Sequence, residues 1–520
     1  MPPYFGFRGQ SLNNMLVVSV VMPAYLLFGF NNGVAGGLLD LPAWAARFPT
    51  LASPASGTRA HVQGTVVAAY TLGALFGALA CGFLGDVLGR RRTIMLGAAV
   101  GAAGSALEAS AFSLAQLVVG RVVCGVGLGL ISATAPNWQT ECSRAGHRGF
   151  MVMLEGLFIS AGLALQAFLN FGISHAKGDV TWRFSLAFSC FLDLVVFVST
   201  PCWPESPRWL VKQGRLTEAR AVLAALDDTA PDDAHVDAEL RAIEASLAAT
   251  GTGNFRDVFT NGPARIANRA FVAAAAQFAQ QMCGINVLGY YQTTIFRTYL
   301  GLDAQTARIL SATVFTWQTL CAPLGAFTID HVGRRPLMML GAGGMGLCMA
   351  LIAGLTARPA DTAAVHAAIA FVYLFSTAFV TGFLGLAFLY SAEIAPLAAR
   401  TRVTALSTTA TWLFNFVVVE ATPTGVAKIG WRYFLVYAVI NWCVILPMVY
   451  FLFPETQGLH LESVDTIFLE SRSVLDPVRV AKRLRAEARV DRRGAMVLGR
   501  AAEGEKDSVE HDGHAKEEEA

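Results

Sequence analysis

Apolar runs of about 20 residues recur along the whole chain, among them "MLVVSVVMPAYLLFGFNNGVAG" and "YFLVYAVINWCVILPMVYFLF". Each is long enough to cross a bilayer core of about 30 Å as a helix. About twelve can be placed by length and apolarity, centred near residues 25, 73, 101, 125, 160, 193, 280, 318, 346, 377, 414 and 442. A water-soluble fold would have to bury twelve all-round hydrophobic helices in one core, which chain geometry disfavours. The low charge agrees: 15% of the residues are charged, against about a quarter in soluble domains. The expected class is therefore an all-α membrane protein with twelve transmembrane helices. The first run has one Arg before it and no small-residue cleavage pattern after it, so it reads as a retained helix.

Basic clusters lie between the spans, at "GRRR" (Gly89 to Arg92), "SRAGHRG", "GRRP" and "RTR" (Arg400 to Arg402). All fall between an even-numbered span and the next odd one. The positive-inside rule then places these loops and both termini in the cytoplasm. The nine cysteines form no CxxC pair, so neither a metal site nor a disulfide framework is expected. No paired nucleophile and base, phosphate loop or metal spacing appears, so no cofactor is expected and an enzyme is disfavoured.

Three charged motifs occur twice, in the same order and about 250 residues apart, an internal repeat. Asp86-x-x-Gly89-Arg90-Arg91 recurs as Asp330-x-x-Gly333-Arg334-Arg335, Glu141 with Arg148 as Glu393 with Arg400, and "PESP" around Glu205 as "PETQ" around Glu455. The chain thus reads as two six-helix halves, 15–204 and 269–456. Between them lies a charged, Ala-rich helical linker, 205–268. A short segment, 1–14, precedes the first half. The tail, 457–520, is basic and then acidic, expected to be largely disordered apart from one helix on anionic lipid.

With these motifs in view the chain resembles the sugar porter family of the major facilitator superfamily, and its fungal members most. The resemblance rests on GFLGDVLGRRR, GRVVCGVGLG, PESPRWL, QQMCGIN, DHVGRRP, PETQGLHLESV and the two E-x6-R pairs, and covers about residues 20 to 470. It implies two six-helix bundles in pseudo-twofold repeat, a central cavity and alternating access. It also implies that Asp86, Arg90, Arg91, Glu141, Arg148 and Glu205, with Asp330, Arg334, Arg335, Glu393, Arg400 and Glu455, form a cytoplasmic salt-bridge latch. Contacts made in one state only bias the equilibrium by their difference, so Arg148→Ala or Arg400→Ala is expected to impair transport without blocking insertion.

Polar side chains inside spans are costly and tend to face a cavity. Span 7 carries Gln277, Gln280, Gln281 and Asn286. On an ideal helix Asn286 lies about 140° from Gln281, so convergence on one ligand requires the helix to deform, with Gly284 between them. Amides donate and accept together, which suits a neutral ligand with many hydroxyls. The resemblance places Gln280, Gln281 and Asn286 on sugar-binding positions and adds Gln318, Phe388, Thr411, Trp412 and Phe28, and Asn31 is counted with them as a substrate-site residue. It sets Tyr290 and Tyr291 at an outer gate. Thr411 replaces an amide, Phe388 an indole, and Gly156, preceded by Glu155, a glutamine, so a roomier pocket is expected. Gln277 reads as a packing residue.

Asn31 stands where proton-coupled members of the family carry an Asp. An amide cannot titrate, so the expected function is facilitative transport of a hexose-like monosaccharide, by a monomer in the plasma membrane, with no nucleic-acid partner. Glu108, Glu155, Asp193 and Glu420 also lie in or near spans. They keep open a proton-coupled carrier of a sugar, disaccharide, polyol or quinate. A non-transporting sugar sensor is the further alternative, with the short tail against it.

Overall fold

The structure, a computed structural model, describes residues 3–51, 58–143, 148–250, 258–260, 262, 265–358, 360–396, 399–457, 461–471 and 473–487. Among these residues the chain is helical without strands. The twelve spans are α1 (Gly9–Leu38), α2 (Thr58–Leu88), α3 (Arg90–Ala109), α4 (Leu114–Cys142), α5 (Arg148–Ile173) and α6 (Val180–Ser199) in the first bundle. In the second they are α7, split into α7a (Ile266–Met282) and α7b (Ile285–Tyr299), then α8 (Ala304–Val332), α9 (Arg334–Thr356), α10 (Thr362–Ile394), α11 (Arg400–Ile429) and α12 (Arg432–Leu452). Nine of these helices are long and apolar enough to qualify as spans by composition alone. The others are α3, which opens on three arginines, the two short pieces of α7, and α8, which carries Arg308 and Gln318.

Lipid tails give apolar helix faces no reason to associate, so helix contacts rest on close packing of small residues. The α2–α4 contact shows this. A Cβ on Gly73 would lie 2.1 Å from the Val122 carbonyl oxygen, and one on Gly125 would lie 2.0 Å from that of Tyr70. The glycines of GRVVCGVGLG are thus packing residues, spaced to let two backbones touch. Between the bundles α2 packs on α11, α5 on α8 and α1 on α7b. Large apolar side chains such as Phe83, Leu320, Phe327 and Leu340 are exposed, as lipid-facing positions require.

The linker forms three helices, Pro207–Lys212, Leu216–Asp227 and Ala234–Thr250. They bury Ala219, Leu223 and Val236, and Arg8 donates to the Thr229 carbonyl at 2.7 Å. In the tail, Leu461–Glu470 is a helix whose Asp465 pairs with Arg269 of α7a. Residues 476–487 are helical as well. Ala481 is 1% exposed and Arg485 donates to Gln457 at 2.6 Å, so this basic helix docks on the protein through one apolar face. Residues 488–520 lie outside the described residues.

Candidate functional site

At the end of the bundles that carries the charged motifs, the repeat is a repeat of bonds. Arg90 grips Glu141 with two N–H donors, at 3.0 and 3.2 Å. Arg334 grips Glu393 in the same way, at 3.3 and 2.8 Å. Helices α3 and α9 begin with backbone N–H groups that have no partner in their own helix. Glu205 accepts from the N–H groups of Arg90 and Arg91 at 3.1 and 3.2 Å, and Glu455 from those of Arg334 and Arg335 at 3.1 and 3.0 Å. A carboxylate at a helix N-terminus also complements the helix dipole. Burial nevertheless pushes the Glu205 carboxyl up from its ordinary value, against the N–H groups of Ser206 and Arg91 and the charge of Arg90. Gly89 and Gly333 have φ of +86° and +102°, and a Cβ there would meet Glu205 or Glu455 within 2.8 Å. The second arginine of each motif donates to a carbonyl at a helix end, Arg91 to Trp203 and Arg335 to Tyr450.

These bonds lie within a bundle, whereas the sequence suggested one latch made of all twelve groups. The ties between bundles at this end are fewer. Arg402 reaches Asp86 at 3.6 Å, Arg90 donates to Thr401 at 3.1 Å, and Asn137 donates to Thr404 at 3.0 Å. Asp86 is also paired with Lys212 at 2.9 Å. Arg400 opens α11. The side chains of Arg148 and Asp330 lie outside the described residues.

Midway along the spans α7 breaks. Gly284 has φ +104° and separates α7a from α7b. The break turns Asn286 back, and its amide donates to the Gln281 backbone carbonyl at 3.2 Å and to Gln281 Oε1 at 2.8 Å. Gln281 donates to Gln280 Oε1 at 2.9 Å. Gln280 in turn donates to the carbonyls of Phe383 and Leu384 at 3.2 and 2.8 Å, where α10 contains a π turn over Val380–Leu384. Each irregular backbone frees carbonyls that an amide then satisfies, the arrangement expected where unwound backbone lines a cavity.

The other sequence-derived positions divide. Gln318 is 1% exposed, and neither atom of its amide has a hydrogen-bond partner. Trp412 donates to Ser132 of the first bundle at 3.1 Å, with its ring 5.0 Å from that of Phe28. Phe388 is buried. Thr411 is turned to Gln277, donating at 3.0 Å, which fits the packing role read for Gln277. Tyr290 donates across the bundles to Asn32 at 3.0 Å, while Tyr291 donates to the Val419 carbonyl within its own bundle. Asn31 is held inside the first bundle. It accepts from Ser189 at 2.7 Å and donates to Cys124 Sγ at 3.8 Å. The structure therefore groups Gln280, Gln281 and Asn286, and sets Asn31, Thr411 and Tyr291 into other bonds.

Several polar groups escaped notice in the sequence or had no partner there. Asp40, with its side chain 2% exposed, accepts from Arg297 at 2.8 Å, and its backbone carbonyl accepts from Arg308 at 3.0 Å. Burial pushes the Asp40 carboxyl up although both arginines draw it down. Thr65 donates to Glu420 at 2.9 Å. These contacts join the bundles at the end opposite the motifs. Glu108 pairs with Arg121 at 3.6 Å, and Asp193 accepts from Ser105 at 3.2 Å. Glu155 is 0% exposed, with the Tyr25 hydroxyl as its polar neighbour. Asn415 Oδ1, one turn beyond Trp412, is unsatisfied. Lone polar letters inside apolar runs were the available signal. Their partners lie on other helices.

The family profile described as "Sugar (and other) transporter" matches residues 16–468. The MFS-type transporter oryC of Aspergillus oryzae is 35% identical over 96% of this chain and 95% of its own. The sugar transporter STL1 of Saccharomyces cerevisiae is 33% identical, over 92% and 86%. The high-affinity glucose transporter 1 of Candida albicans is 30% identical, over 88% and 86%. Among solved structures, the proton:xylose symporter XylE bound to 6-bromo-6-deoxy-D-glucose superposes with a TM-score of 0.76 at 22% identity, covering 88% of this chain and 100% of that one. These relatives are transporters and not enzymes, and the chain is a multi-pass membrane protein that belongs to the sugar porter family of the major facilitator superfamily.

Proposed function

We propose that the protein carries a neutral, hexose-like monosaccharide down its gradient by alternating access, as a monomer in the plasma membrane with the charged-motif end in the cytoplasm. The observation that carries this reading is the amide chain Asn286–Gln281–Gln280 assembled at the α7 break. It offers paired donors and acceptors and no fixed charge, which suits a sugar rather than an anion. Two separate sets of bundle-to-bundle ties support the alternation. One is around Asp86 and Arg402, the other around Asp40 and Arg297. A carrier that releases one set at a time opens to one side at a time.

Downhill transport is supported by Asn31, which engages Ser189 and Cys124 and cannot exchange a proton. Proton symport is the second reading, and Glu155 favours it. Its carboxyl is buried, burying a charged carboxylate is costly, and a change of state that hydrates the group alters that cost and so links it to a proton. Sealed vesicles containing the purified protein distinguish the two. We expect labelled hexose to equilibrate at a rate indifferent to a protonophore. Accumulation driven by an acid-outside gradient overturns the downhill reading. Absence of exchange across hexoses and polyols overturns the carrier reading.

A further inference from the structure

On the side of α7b away from the break lies a small cavity between the two bundles, of about 20 Å³, room for about one water. Gln166 and Asn170 of α5 and Gln292 of α7b line it. These side chains are 2%, 4% and 2% exposed. Gln166 Nε2, Asn170 Nδ2 and both amide atoms of Gln292 lack hydrogen-bond partners. Helix α1 makes room for them by presenting glycine. A Cβ on Gly37 would fall 2.2 Å from Asn170 Nδ2 and 2.8 Å from Gln166 Nε2. Buried polar groups left unsatisfied are costly and rare in native proteins, and here four amide atoms border one void, together with Nε of Arg308, whose guanidinium also donates to the Asp40 carbonyl. None of them belongs to the amide chain at the α7 break.

We propose that Gln166, Asn170 and Gln292 form a second hydroxyl-binding station on the substrate path, used when the Asp40–Arg297 end opens. The ligand class is a polyhydroxylated neutral molecule. Three amide donors and one acceptor match the alternating pattern of adjacent hydroxyls. Gln292 lies six residues beyond Asn286, about 9 Å along the helix axis and about 120° around it, so this station is a stop separate from the Gln281–Asn286 pair. In the closed state the walls contract to a water-sized void. In the open state the same amides meet hydroxyls. A disaccharide held by these amides would occupy the path ahead of the Gln281–Asn286 pair and block it.

This inference rests on the carrier reading, and the test separates their failures. Hexose entry is measured in cells lacking other hexose carriers, with maltose or cellobiose added outside, for the wild type, Gln292→Ala and the isosteric Gln292→Met. The expected result is competitive inhibition of wild-type entry by the disaccharide and at least fivefold weaker inhibition in both variants. Gln292→Met removes the unsatisfied amide while keeping the volume, so it should fold at least as well as wild type, which guards against a variant lost to misfolding. If hexose enters but neither disaccharide inhibits it, or inhibition is equal in wild type and Gln292→Met, the station is overturned while the carrier reading stands. If no hexose enters through the wild type, the carrier reading fails first.

Discussion

Two arginines at the motif end should fail in different ways. Arg90 and Glu141 bury their side chains to 6% and 9% exposure and share two hydrogen bonds. Removing one partner of such a pair strands a buried charge, at a cost of about 3–5 kcal/mol. Arg90→Ala also deletes the donors to Gly85 and Thr401. It is therefore a folding defect of the first bundle, several kcal/mol deep. Arg402 pairs with Asp86 at 3.6 Å, with side chains 14% and 18% exposed, and Asp86 keeps Lys212 and Arg90 as partners. One cation lost from three at a partly hydrated site is worth about 1 kcal/mol. Because this contact joins the bundles, that energy shifts the closed-to-open ratio by about fivefold. Melting of the detergent-solubilised protein, followed by size-exclusion fluorescence, should show Arg90→Ala far below wild type and Arg402→Ala near it. Pulsed-EPR distances between the motif ends of α2 and α11 should broaden towards longer values in Arg402→Ala. An Arg90→Ala protein that melts like wild type would refute the assignment. So would an Arg402→Ala protein as unstable as Arg90→Ala with an unaltered distance distribution.

Other substitutions probe the midplane and the packing. Gln281→Ala or Asn286→Ala breaks the amide chain and should raise half-saturation for hexose about tenfold or more, from one lost hydrogen bond and one orphaned partner; uptake kinetics report it, and an unchanged value removes these residues from the site. Gln277→Ala, by contrast, should lower melting temperature with little change in half-saturation, because its Oε1 serves Thr411. Glu155→Gln replaces a titratable carboxyl by a non-titrating amide of the same shape and should leave downhill exchange and its pH profile intact. Loss of a proton-driven component in that variant would establish symport instead. Gly125→Leu should abolish monodisperse protein, since the first added carbon already falls 2.0 Å from the Tyr70 oxygen, and normal yield would contradict the close packing of α2 on α4.

The repeat of bonds at the motif end was visible as a repeat of letters, because Arg90, Glu141 and Glu205 recur with their spacing as Arg334, Glu393 and Glu455. What each letter does was less visible. Glu205 and Glu455 read as ion-pair partners, yet their described hydrogen bonds go to backbone N–H groups, those that begin α3 and α9 and those of Ser206 and Gln457. A free helix N-terminus is a property of the fold, so no residue code announces its partner. Gly284 between Gln281 and Asn286 did announce the break in α7, since an ideal helix cannot bring those two amides together. Gln292, Gln166 and Asn170 stood as ordinary polar letters in apolar runs, 120 residues or more of chain separating the first from the others.

Sequence alone determined the class, the count of spans and the twofold organisation. These follow from local quantities: the length of an apolar run and the period of a repeat. Only the tertiary structure decided which polar groups meet. It put Asn31 against Ser189, Thr411 against Gln277, and Asp40 against Arg297. In a membrane interior a polar side chain must find its partner on a neighbouring helix, and which helix is the neighbour depends on how the bundles pack.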